Sequence, residues 1–267
     1  MAYSPTPIHD VPDHRAPSRW LPLWQAALIG LTGLMLLIKI YTGTLPLYVH
    51  TRYTPLILGT GVTLLLLALL QSWFTLRSPE GVHIHGHEHG ATSWRSVAML
   101  ALLVPIVLGL FVPSRALGSA AIDTRGFGTS GTGIRTVQSV AGESALIGIP
   151  DPTQWTMLDW VNALLYQPDN PRLQGQPIEQ TGFVWRRGEM EQSQFILSRF
   201  VLSCCTADSL AIGLPVVWPE ASALQSDGWV RVRGTVGLAN VMGHQEAVIL
   251  AEEVVPIEQP AEPYLYP

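Results

Sequence analysis

Two apolar runs near the start of the chain, Trp20 to Tyr41 and Pro55 to Leu76, limit the possible folds more than any other feature. About 20 apolar residues in a helix cross the hydrocarbon core of a bilayer. Lipid offers a backbone no hydrogen-bond partner, so such a segment must be helical. The first run is broken only by Gln25 and Lys39, with Trp20, Trp24 and Tyr41 near its ends, where amphipathic rings suit the membrane interface. Lys39 can extend its amine toward water. The following stretch, GTLPLYVH, has no small-residue cleavage site, which argues for a retained span over a signal peptide. The second run centres on VTLLLLALL and has Trp73–Phe74 at one edge. A third, Ser93 to Val112, contains Pro105, which membrane helices tolerate. Three spans are expected.

Charge divides the chain. Only 13% of its 267 residues are charged, against roughly 25% in ordinary soluble domains. Residues 1–112 hold six basic and four acidic side chains, a net +2; the remainder holds nine and sixteen, a net −7. An acidic globular half is a poor partner for phosphate backbones, which bind through Lys and Arg. Nucleic acid is therefore excluded as an expected partner. Pro5, Pro7, Pro12 and Pro17 mark residues 1–19 as a disordered tail. Residues 20–112 form the membrane region, with a loop at 80–90. The Gly-, Ser- and Thr-rich stretch 113–134 reads as a flexible linker, and 135–267 as the soluble domain.

That domain reads as mostly β. Trp155, Leu158, Val161 and Leu165 fall at helical spacing, predicting a helix over Thr153–Leu165 that ends before Pro168. Five strands follow: Ile178–Arg186, Gln194–Cys205, Leu210–Trp218, Gly228–Gly237 and Ala247–Ile257. Alternation is clearest in WVRVRGTV, where Arg231 and Arg233 share one face. Five strands with Gly- and Pro-rich turns predict a small closed barrel of the oligonucleotide/oligosaccharide-binding (OB) type; a sandwich is the alternative.

Candidate chemistry lies in two clusters. SRFVLSCCTADS (198–209) sets Cys204 and Cys205 beside Asp208, and thiolates select Zn, Cu(I) and similar soft ions. The other reading is packing, since free Cys often behaves as a small buried hydrophobe. Adjacent side chains on a strand point to opposite faces, so both sulfurs reach one ion only if the strand ends there. GVHIHGHEHG holds His83, His85, His87 and His89. These suit an exchangeable zinc-type site or a plain polar loop, and a closed structural site is disfavoured. His244 reads as a turn residue. No GxSxG, HExxH, Walker A or dinucleotide fingerprint is present, so no enzymatic activity is expected. Gly30 and Gly33 share a helix face and offer a contact surface for a partner helix, as do Gly59 and Gly61 less cleanly.

Several segments together resemble the YcgQ-like subunits of two-component membrane permeases. They are YVHTRYTP in the first loop, the His-rich second loop, PSRAL, TGFVW, SRFVLSCCTADS, WVRVRGTV and the ending PAEPYLYP. The resemblance covers most of the chain after residue 20. It implies a partner, an integral permease of the broad arsenical-permease-like type, and marks Cys204, Cys205 and Asp208 as a motif. The longer Pro-rich N-terminus departs from the family pattern. The residues point the same way, because three spans without intramembrane acids make a poor transport pathway alone. An accessory permease subunit in the cell membrane is expected, its soluble domain binding a soft metal or metalloid or gating the permease. The alternatives are a stand-alone metal-handling protein and a tethered scaffold. Arg15, Arg19, Arg77 and Arg95 are nearly balanced by Lys39, Arg52, Arg115 and Arg125. The titratable histidines beside Arg77 and Arg95 then tip the positive-inside rule narrowly toward an extracytoplasmic domain.

Overall fold

The computed structural model describes residues 20–77, 92–127, 152–166 and 170–267, in two compact units. The N-terminal tail and His83, His85, His87 and His89 lie outside the described residues.

The first unit holds α1 (Trp20–Tyr41), α2 (Thr54–Arg77) and α3 (Thr92–Phe111). By length and composition α1 and α2 can cross a membrane. Pro105 sits inside α3 without ending it, and the described apolar stretch of that helix is Leu100–Phe111. Small residues set the α1–α2 spacing. A Cβ at Gly33 would lie 2.8 Å from the Gly61 carbonyl oxygen, and one at Gly30 would lie 3.3 Å from the Ala68 Cβ. The face expected to meet a partner protein is therefore occupied by α2, whereas Gly59 has open space beside it. Gln71, an amide on an otherwise apolar helix, donates to the Pro22 carbonyl at 3.1 Å, which spares it the cost of an unpaired polar group.

The second unit joins residues Thr42–Thr54 to Ser114–Pro267. Its strands are β1 (Pro177–Trp185), β2 (Gln194–Val201), β3 (Leu210–Val217), β4 (Trp229–Val241), β5 (His244–Pro256) and the short β6 (Tyr264–Leu265). β1 pairs with β4 through its first seven residues and with β2 through its last three. β2 pairs antiparallel with β3, β3 parallel with β5, and β5 antiparallel with β4. Each of these five strands thus has two neighbours. β6 adds to β2 in parallel beyond the end of β1. Near Gly234 a bulge shifts the β4–β5 register; there the two backbones approach so closely that a Cβ would strike the Leu250 carbonyl.

Alternation along β2 explains its burial on both faces. Phe195, Leu197 and Val201 enter one core, with Val184, Val232, Ile249 and Trp160 of α5 (Met157–Tyr166). Ile196, Phe200 and Leu202 enter a second, with Phe183, Trp229, Val248 and Tyr264. α5 starts later than expected because Thr156 and Asp159 form a reciprocal cap. The Asp159 carboxylate accepts from the Thr156 N–H at 2.8 Å, and the Thr156 hydroxyl accepts from the Asp159 N–H at 3.3 Å.

Other expectations need correction. Part of the stretch read as flexible linker is a helix, α4 (Ser119–Arg125). It is held because Asp227 accepts from the Ser119 N–H and hydroxyl at 2.5 and 2.8 Å, while Ile122 is buried in the second core. His244 opens β5 opposite Val241; the turn is Met242–Gly243, both at positive φ. β2 stops at Val201 rather than Cys205.

Phe195 is fully buried. Phe195→Ala should lower the unfolding free energy of this unit by about 3–5 kcal/mol, read from urea denaturation followed by tryptophan fluorescence in the full chain. A loss under about 1 kcal/mol would show that this face of β2 is not the packed core.

Candidate metal centre

The end of β2 builds the cysteine site. Leu202 remains buried and its N–H bonds to the Leu265 carbonyl at 2.9 Å. The chain then turns outward through Ser203 and Cys204, and Thr206–Asp208 form one 3-10 turn with Cys205 as its N-cap. Asp208 organises the bend. Its carboxylate accepts from the N–H groups of Cys204 at 2.7 Å and of Ser203 and Cys205 at 3.3 Å. This folds the carboxylate back over the thiols. With the strand ended, the two sulfurs no longer point to opposite faces and lie 3.6 Å apart. Among the described residues, Cys204, Cys205 and Asp208 are the group whose potential metal-ligand atoms all fall within 4.8 Å. Cys204 is exposed and Cys205 half-exposed, so burial as a small hydrophobe does not describe them.

Electrostatics at the cluster oppose a free thiolate at Cys204. The hydrogen bond to the Asp208 carboxylate, then that to Cys205, push the Cys204 thiol up to about 12. Asp208 moves the opposite way. Its partial burial works against the charge, but hydrogen bonds from the Cys204 side chain and the three N–H groups hold it below the ordinary carboxylate range. The signs follow. The Cys204 contribution to stability is present at neutral pH and fades as pH rises from ordinary thiol values toward about 12. The Asp208 contribution is lost as pH falls below its depressed value.

Segments distant in sequence surround this loop. Residues 42–54, which join α1 to α2, form a strap on it. Val49 makes an isolated antiparallel bridge with Cys205. The His50 N–H donates to the Cys204 carbonyl, and the Thr206 N–H to the Tyr48 carbonyl, both at 2.9 Å. The strap is held from behind by the C-terminus. The Tyr264 hydroxyl donates to the Leu47 carbonyl at 3.2 Å and accepts from the Leu117 N–H at 3.0 Å. Tyr266 stacks on His50 with ring centroids 3.9 Å apart, and the Tyr48 hydroxyl donates to Ser114 Oγ at 3.0 Å. Arg125, at the end of α4, donates to the Thr206 carbonyl at 2.9 Å and Ser209 Oγ at 2.8 Å.

These supports were missed by reasoning from the sequence. Their signal was the set YVHTRYTP, PSRAL, SCCTADS and PYLYP, which carry the family resemblance and meet here. Comparison with known proteins agrees. Residues 25–128 match the DUF1980 N-terminal domain and residues 153–267 the DUF1980 C-terminal domain. The chain belongs to the DUF1980 family. This DUF1980 chain is 23% identical over 263 residues to "UPF0703 protein YcgQ" of Bacillus subtilis, covering 84% of this chain and 92% of the relative. It is 23% identical over 258 residues, with the same coverage, to a Streptococcus mutans protein named "Putative two-component membrane permease complex subunit".

Asp208→Asn removes the charge that holds the Cys204 proton. Alkylation of Cys204 by iodoacetamide at pH 8 should then speed by about tenfold or more. An unchanged rate would show that Asp208 does not govern this thiol.

Proposed function

We propose that this chain is the non-catalytic accessory subunit of a two-component membrane permease complex. In this reading three spans anchor an extracytoplasmic OB-type barrel, which carries an exchangeable soft-metal site at Cys204, Cys205 and Asp208. The permease assignment rests on the name of the Streptococcus mutans relative, which aligns with 84% of this chain.

Parity supports the three spans. The 42–54 strap and the C-terminal domain belong to one unit, so they share one side of the membrane. Between Thr54 and Ser114 the chain must therefore cross an even number of times. With α2 as one crossing, α3 serves as the other in this reading. The cyclic order β1–β4–β5–β3–β2, with its parallel β3–β5 pair, supports the barrel. OB folds take oligonucleotides or sugars near the β1–β2 and β4–β5 loops. Here those loops line a cavity of about 360 Å³ with Glu189, Glu191, Asn240, Met242 and Gly243. Its carboxylates would repel phosphates.

The donor set supports a soft divalent metal. Tetrahedral zinc with thiolate bonds of about 2.3 Å needs sulfurs about 3.8 Å apart, close to the 3.6 Å between Cys204 and Cys205. Two thiolates and a carboxylate would leave a fourth position open, which suits exchange over permanent structure.

A multi-span permease encoded beside this chain should co-purify with it after co-expression. Exposed positions Arg52 and Glu189, each changed to Cys in a Cys204→Ser/Cys205→Ser background, should react with an impermeant maleimide in intact spheroplasts. Labelling of the two from opposite sides would end the three-span reading. Purification without the permease, metal binding intact, would favour a stand-alone metal-handling protein.

Zinc must displace the Cys204 proton, so apparent Zn²⁺ affinity should rise about tenfold or more per pH unit between pH 6 and 8. A flat profile under competition with a chromophoric chelator would argue against thiolate ligation.

A further inference from the structure

We infer that the chain senses metal: occupancy of Cys204, Cys205 and Asp208 is read by the 42–54 strap and passed through its ends to α1 and α2. The inference rests on the metal reading above and adds what that site regulates.

The coupling lies in shared backbone. The peptide groups that position the ligands are the ones that hold the strap. Cys204 carries a ligand sulfur, and its carbonyl receives the His50 N–H. Thr206, one residue past Cys205, donates its N–H to Tyr48. Cys205 itself pairs with Val49. Movement of either cysteine therefore moves a strap hydrogen bond. The strap has little slack with which to absorb it. Thr42 and Gly43 form a turn with Gly43 at positive φ, Leu45–Leu47 and Thr51–Tyr53 are 3-10 turns, and Val49–His50 is the extended piece between them. On one side the chain reaches Tyr41, the last residue of α1; on the other, α2 begins at Thr54.

The direction of the effect follows from geometry. All three ligand atoms already lie within 4.8 Å, so a metal fixes the loop near its present shape instead of remodelling it. Three N–H groups of Ser203, Cys204 and Cys205 converge on Asp208. A bridging ion adds a second tie between the same residues. Metal should therefore favour the docked strap, and by reciprocity the docked strap should favour metal.

Two measurements on the full-length protein in nanodiscs test this, with Cd²⁺ as the probe. Occupancy is read from the thiolate–Cd²⁺ charge-transfer band, and strap docking from hydrogen–deuterium exchange. Saturating Cd²⁺ should slow exchange at the His50 and Thr206 amides about fivefold. It should do nothing there in Cys204→Ser/Cys205→Ser. Tyr266→Ala, which removes the His50 stack, should weaken Cd²⁺ binding measurably, by up to the same factor; His50→Ala provides an independent second variant. Core exchange in β2 and β4 verifies that each variant remains folded. Bound Cd²⁺ with unchanged strap exchange, or wild-type affinity in both strap variants, overturns the sensor while leaving the metal site standing. Failure to bind Cd²⁺ at all overturns both.

Discussion

Two hydrogen bonds, from the His50 N–H to the Cys204 carbonyl and from the Thr206 N–H to the Tyr48 carbonyl, make the first loop part of the C-terminal domain. The loop 42–53 between the two apolar helices would otherwise have to satisfy its own backbone or leave it to water. Here the bend that follows β2 supplies the partners, through the Cys204 carbonyl and the Thr206 N–H. That single exchange places residues 47–50, 114–117, 204–209 and 264–266 in one neighbourhood, although Leu47 and Tyr264 are 217 positions apart in the chain. The order of the C-terminus depends on it too. β6 has two residues, too few to stand alone, and its Tyr264 is held by Leu47 and Leu117.

Charge is placed with the same economy. Arg199 lies half-buried on β2; burial pulls its pKa below the ordinary value, with Glu262 opposing. Its donors go to the Pro263 and Glu262 carbonyls at 3.2 and 2.8 Å, so it clamps the segment leading into β6. Burial likewise raises the Tyr264 hydroxyl above its usual range, against the hydrogen bond from Leu117. The phenol therefore keeps the proton it donates to Leu47. The exposed pairs of Arg233 with Glu179 and Glu253, at 3.9 and 3.6 Å, contribute little by comparison.

Much of the fold was legible because its signals are local. α1 was read to the residue, since nothing but a long apolar helix fits Trp20–Tyr41. β1 and β3 were read to within a residue at either end, because alternation and flanking turns are written in the strand itself. The Cys204–Cys205–Asp208 cluster was legible as residue types. Its geometry was not, because the bend depends on three N–H groups converging on one carboxylate. α4 was hidden by its small residues. Ser119–Arg125 has poor helical signals of its own and is held by Asp227, 108 positions away from Ser119. Likewise, Gly30 and Gly33 announced close helix contact, but no periodicity states whether the neighbour is α2 or another protein. His244 was misread because Met242 and Gly243 alone make the turn, giving β4 and β5 thirteen residues each.

The location of the cluster follows from the way the strands are paired. Along β2 every residue but the half-exposed Arg199 is buried, so a ligand site inside the strand would cost packing on one face or the other. At Val201 the pairing with β3 ends, and past it the backbone is free to turn two adjacent side chains to one side. The same release leaves carbonyl and N–H groups unpaired, and a strap that binds them must sit beside whatever the turn presents. Site and strap are therefore two consequences of one strand end. A change that lengthened β2 through Cys205 would separate the sulfurs and undock the strap together, which is the physical reason to treat them as one device.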